Sequence, residues 1–189
     1  FSFLGGIANR FRIENIIVIA IFCGIVTSVM HLFFSVSTSY YFIILAFLLI
    51  GVVWGVANSG GIGLAIQNVK PEKVGSSIGT IATTWNVAGA MSIAIGSVLF
   101  NSNEKIAMHQ ALVKHNVSLT ADQHSLISTM LSDPTRAYQL LDQFSLFKAQ
   151  EIMPYFKNSF LTGFHVAVWF SVGVLALGLL ASFILIKRK

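Results

Sequence analysis

Charge is missing from most of this chain, and it is missing in long blocks. No Asp, Glu, Lys or Arg falls between Glu14 and Lys70, between Lys73 and Glu104, or between Lys157 and Lys187. About 20 uncharged, mostly apolar residues in a helix match the ~30 Å hydrocarbon core of a bilayer. In lipid the backbone must bond to itself, and no strand-like alternation is present, so the blocks predict helices. Composition agrees. Hydrophobic residues make up 55% of the chain and charged residues 10%, against about a quarter charged in ordinary soluble domains. The predicted fold class is all-α, a polytopic transmembrane helix bundle.

Polar breaks divide the blocks into spans at 15–36, 40–66, 77–100 and 160–186. The chain opens inside an apolar stretch, 1–7, which predicts the stub of a helix begun upstream and hence a fragment of a longer protein. Residues 1–100 are therefore expected to be membrane helices. Residues 160–189 are expected to be a last membrane helix with a basic tail, Lys187-Arg188-Lys189. Between them, 101–159 carries five basic and five acidic residues. There Thr120-Ala-Asp-Gln123 reads as a capping box before Leu126, Ile127, Met130 and Leu131. Asp133-Pro134 reads as N-cap and first residue of a helix bearing Ala137, Leu140, Leu141, Phe144 and Phe147. These are short amphipathic helices, not spans, and Pro154 is expected to break the pattern before the last span.

Lysines and arginines orient the spans. One side holds Arg10, Arg12, Lys70, Lys73, Lys187, Arg188 and Lys189 with only Glu14 and Glu72, so 7 − 2 gives the whole net charge of +5. The positive-inside rule makes that side cytoplasmic, with the C-terminus, and makes 101–159 extracytoplasmic. The basic residues form no patch with aromatics, so no nucleic-acid partner is expected. The partner that the composition demands is a lipid bilayer.

Small residues recur every four positions in these spans, the spacing that lets membrane helices approach closely. Ala20, Gly24 and Ser28 form one such stripe. Gly51, Gly55, Ser59 and Gly63 form a second. A third runs Thr80, Thr84, Ala88, Ser92 and Gly96. The span that carries the second stripe also holds Trp54 and Asn58, and it reads as the inner wall of a solute path. Trp85 and Asn86 are the matching exceptions on 77–100. Trp54, Asn58, Trp85 and Asn86 are the substrate-cavity candidates; for each, ordinary packing or a bond to a neighbouring helix is the rival explanation. His31 and His165 titrate near neutrality in principle, but both lie near the outward ends of their spans, where exposure to interfacial water accounts for them. His109, His115 and His124 lack metal-ligand spacing. No metal site, cofactor, catalytic constellation or P-loop is expected. Cys23 is the single cysteine, so no intrachain disulfide can form.

The stretch Gly5-Gly-Ile-Ala-Asn9-Arg10-Phe-Arg12 resembles the cytoplasmic loop signature of the major facilitator superfamily, G-x-x-x-D-R-x-G-R. Asn9 stands for its acid, Arg12 for its second glycine and Ile13 for its closing arginine. Lys70-Pro71-Glu72-Lys73-Val74-Gly75 is similar to a later loop of the same transporters. Thr83-Thr84-Trp85-Asn86-Val87-Ala88-Gly89-Ala90 resembles a helix of the fourteen-span drug:proton antiporter branch. The long outward segment before Asn158-Ser-Phe-Leu-Thr-Gly163 is also typical of that branch.

The resemblance implies the C-terminal part of a secondary active transporter, a proton-coupled exporter of drugs or small metabolites working by alternating access. It places 40–66 along the central cavity and 77–100 against the other half. It implies a bacterial cytoplasmic (inner) membrane, a small-molecule substrate, and the missing N-terminal part as partner. No Asp or Glu lies within any span, so the coupling acid is expected in that part. An importer of the same fold stands as one alternative. An inactive remnant of a broken gene, or a non-transporting membrane scaffold, stands as another.

Overall fold

This computed structural model describes residues 13–115, 127, 129 and 146–187, and it is helical almost throughout. Helix α1 is Ile13–His31, α2 is Tyr40–Gln67, α3 is Val74–Lys114 and α4 is Leu146–Lys187. Three of the helices are long and apolar enough to cross a membrane, and 15–31 of α1 forms a shorter apolar helix. The architecture is the all-helical membrane bundle expected. The motif residues Gly5, Asn9 and Arg10 and both capping signatures lie outside the described residues.

The chain divides into two compact units. The first comprises 1–34, 38–94 and 168–189. In it α1 and α2 run antiparallel. Space for a Cβ on Gly60 ends 3.2 Å from Ile17, and space for one on Gly24 ends 3.5 Å from Val53. The His31 and Phe47 rings meet edge-on at 5.5 Å. Numbers rise along one helix as they fall along the other. The stripe Ala20, Gly24, Ser28 is buried along this seam, with Ala46 of α2 fully enclosed. Gly24 also faces Leu175 of α4, at 3.6 Å. With small side chains there, two backbones come close enough for dispersion to hold them where no hydrophobic force acts.

Two local features depart from expectation. Helix α1 stops at His31, not at residue 36; Leu32, Phe33 and Phe34 follow in tight turns whose N–H groups bond to Val29, Met30 and His31. Its 19 residues still rise about 28 Å. His31 is not a water-exposed interfacial residue. It is buried, its Nδ1–H donates to the Thr27 carbonyl at 2.7 Å, and its ring packs on Phe34 and Phe47. A polar ring so bonded is stable in an apolar seam because its donor is satisfied. At the other end of α2, Lys70 is extended and Pro71 opens a single 3₁₀ turn, Pro71–Lys73, before α3, as proline dictates for the residue before it.

The second unit comprises 35–37 and 95–167. Here the distal part of α3 pairs antiparallel with the proximal part of α4. Phe100 meets Phe160 at 5.2 Å, Ser159 meets Met108, and His115 stacks on Tyr155 at 4.8 Å. Glu104, Met108 and Leu112 recur every four residues on one helix, and Ile152 and Ser159 are seven apart on the other; all are buried. That periodicity is the seam of a helix pair.

The expectation that a helix ends at residue 100 is therefore corrected. Charge begins at Glu104, but α3 continues to Lys114, because the helix formers Glu104, Lys105, Ala107, Met108, Gln110, Ala111 and Leu112 sustain it. At 41 residues it is about 60 Å long, roughly twice the hydrocarbon thickness, so part of it stands outside. Pro154 does not break a helix either: α4 runs through it. Its ring is exposed, and the buried residues Ile152 and Ser159 on either side hold the helix across the lost backbone bond.

Candidate functional site

Helices α2 and α3 meet in the first unit through tryptophan and glycine. The Trp54 and Trp85 ring centroids are 6.4 Å apart, with planes inclined at 41°. The Trp85 ring also lies over Gly61, where a Cβ would end 3.1 Å from its Cζ2. Trp54, Asn58 and Gly61 are spaced four and three residues apart, so they share one face of α2. Trp85 touches the first and last of these. Asn58 therefore sits on the face that receives α3, one turn from each contact.

The four cavity candidates differ in setting. Trp85 and Asn58 are half-buried, Asn86 is exposed, and Trp54 is 67% exposed. No hydrogen bond to the Asn58 amide is made among the described residues. A half-buried amide in an apolar wall offers two donors and an acceptor to whatever comes against it, at a cost of about 1–3 kcal/mol if left unpaired. Two indoles beside it offer flat faces for an aromatic or cationic molecule. At this crossing no nucleophile–base pair is placed among the described residues. Among the described residues no group of three His, Cys, Asp or Glu is placed to hold a metal ion.

The glycine stripes need closer description. Nothing lies within 4 Å of the Cβ position at Gly51, Gly55 or Gly96. Ser59, Ala88 and Ser92 are exposed, and Gly63 is half-buried. Within this chain the close approaches of α2 are made instead at Gly60, toward Ile17, and at Gly61, toward Trp85. Sequence spacing singled out neither residue, although both sit in the same glycine cluster. Thr80, Thr83 and Thr84 donate back to the carbonyls of Ser76, Gly79 and Thr80 at 2.9–3.0 Å. Their hydroxyls are satisfied within α3 rather than across to another helix.

This difference gives a paired prediction. Gly61→Ala pushes a methyl to 3.1 Å from the Trp85 ring, and the indole is too large to swing away cheaply. The variant is expected to lose most of the ~1 kcal/mol that alanine otherwise adds to a helix interior. Gly55→Ala, with open space, keeps that gain. Thermal midpoints of the two variants in detergent check it: Gly55→Ala should melt higher. Equal midpoints would show that Trp85 does not rest on Gly61.

Residues 1–93, just under half of the chain, match the family model of the Major Facilitator Superfamily. No curated protein matches the chain, and no solved structure does. The match takes in α1, α2 and the first half of α3, and so the whole Trp54–Asn58–Trp85 crossing. Over those residues the chain is similar to that superfamily. Together with the apolar helices this similarity supports an integral membrane protein.

Proposed function

From the superfamily match and the α2–α3 crossing we propose that the chain is the C-terminal part of a secondary active transporter, a proton-coupled exporter of drugs or small metabolites of the fourteen-span antiporter branch. The observation that carries the reading is the Trp54–Asn58–Trp85 arrangement: an amide with no hydrogen-bond partner among the described residues, flanked by two indoles, on helices with no formal charge in their apolar stretches. Such a surface suits a large, weakly polar or cationic solute. Asn58 would bond the solute or the helix that gates it; Trp54 and Trp85 would stack on it; Asn86 would meet the other half of the transporter. Gly51, Gly55, Ser59, Gly63, Ala88, Ser92 and Gly96 would be the small surface against which the N-terminal part packs. Gly5, Asn9 and Arg10 would form the cytoplasmic loop between two helices.

The charge distribution supports a bacterial inner membrane orientation with the C-terminus in the cytoplasm and the 101–159 segment outside. Rocking of two halves about a mid-membrane site would move the solute, and the proton would be carried by an acid in the N-terminal part.

The test uses the full-length gene. Asn58→Ala, at equal membrane expression, is expected to reduce efflux of at least one drug about 5-fold or more, the loss of one polar contact of ~1 kcal/mol or above. Unchanged efflux of every substrate removes Asn58 from the site. Accumulation in place of efflux would favour the importer, and an in-frame stop upstream would favour the remnant.

A further inference from the structure

The second unit buries a carboxyl group that the transport reading does not use. Glu104 is 2% exposed, and its Oε2 has no hydrogen-bond partner among the described residues. It lies one turn beyond Phe100, past the end of the span 77–100 read from the sequence, and faces Gly163 near the start of the span 160–186. Its Cβ approaches the place of a Cβ on Gly163 to 3.1 Å, so the missing side chain on α4 makes its room. The next residues along the seam are Met108 and Leu112, both apolar and buried. An ionised carboxylate is costly in such an apolar seam; a carboxylic acid loses far less on burial.

We propose that Glu104 is a proton-binding site that latches the α3–α4 pair of the outer unit: protonated, it lies in the seam and the pair is closed; ionised, it draws water in and the pair opens. Burial pushes its carboxyl up to about 7, against a downward pull from the neighbouring Lys105. The sign follows from linkage. The closed pair binds the proton more tightly than the open one, so the latch holds at acidic pH and loosens as pH rises from about 4.5 toward 7. Among the titratable groups whose side chains are described, only Lys105 acts on the carboxyl. His109 and Lys114 are exposed on α3, and His115 is taken up in the stack with Tyr155. On α4, Lys157 is exposed and the His165 ring lies beside Phe164. The inference is independent of which solute is carried and of where the coupling acid lies.

Spin labels at Val113→Cys and Lys157→Cys, both exposed positions, with Cys23→Ser, read the separation of the pair in the whole chain in nanodiscs. Dipolar broadening is expected at pH 5 and is expected to fall at least 2-fold by pH 8.5, with a midpoint near 7. In Glu104→Gln, a neutral isostere, it should stay high throughout. His115→Phe, which keeps a ring on Tyr155 and removes a histidine, should leave the transition in place. A pH-independent signal in the parent, or a transition that persists in Glu104→Gln or vanishes in His115→Phe, would overturn the proposal. Infrared titration of the parent without labels gives a second reading that needs no substitution. A carboxyl band titrating near pH 7 supports the latch; all carboxyls titrating near their ordinary values refutes it.

Discussion

Gly163→Ala is expected to destabilise the α3–α4 pair of the second unit, although alanine is the better helix former. The methyl would end 2.7 Å from the carbonyl oxygen of Phe100 and 3.1 Å from Cβ of Glu104. Neither is the tip of a flexible chain. The carbonyl oxygen belongs to the backbone of α3, and the Cβ is one bond from it. Relief requires the helices to part by several tenths of an ångström. That loosens the Phe100–Phe160 edge contact and the Ser159–Met108 contact beside it. Overpacking of this kind costs about 1–3 kcal/mol. Alanine returns about 1 kcal/mol of helix propensity, so the net loss is about 0–2 kcal/mol, toward the upper end because a backbone oxygen is what the methyl meets, and Gly163→Val should lose more. Gly173→Ala is the control, because nothing stands within 4 Å of its Cβ position. Denaturant midpoints in detergent should rank Gly173→Ala at or above the parent and Gly163→Ala below it. The reverse order would mean that the helices do not touch at Gly163.

The larger loss is expected from Met108→Ala. Met108 is 1% exposed and sits midway along the same seam, with its sulfur 3.9 Å from the Ser159 hydroxyl. That hydroxyl donates its main bond to the Phe156 carbonyl, so the substitution leaves no polar group stranded. What goes is volume. Truncating a buried methionine costs about 2–5 kcal/mol, the spread reflecting how far the site can collapse. Met108→Leu should cost under about 1.5 kcal/mol, and Val113→Ala, at an exposed position, only a few tenths. Midpoints for the three variants test the order. If Met108→Ala and Val113→Ala lie together, the seam is not packed as described.

The parts of the fold written plainly in the residues are those where one rule acts alone. Charge-free blocks gave the crossing helices because lipid excludes formal charge. The Ala20–Gly24–Ser28 stripe marked the α1–α2 seam because that helix has few other small faces. On α2 the same rule had too many answers. Glycines occur on several of its faces, and spacing cannot say which face a neighbour meets. The choice was made by Ile17 and Trp85, which settled on Gly60 and Gly61. At residue 100 two rules were merged. Charge ends a membrane crossing, whereas helix propensity decides where the helix ends, and the second runs on to Lys114. Pro154 was overruled by packing on both sides of it. His31 was taken for a wet residue because a carbonyl one turn back, from Thr27, is invisible in a hydropathy pattern. The candidate site was half legible: its tryptophans and asparagines stood out as exceptions, but the meeting of Trp54 with Trp85 across two helices is set by packing that spacing does not carry.

The threonines of α3 carry one more lesson. A hydropathy scale scores Thr80, Thr83 and Thr84 as polar, and a designer would look for the groups they bind on a neighbouring chain. Each hydroxyl has already spent its proton on the turn below. What each of them still offers a lipid tail or an adjoining helix is a methyl group and an oxygen that can only accept.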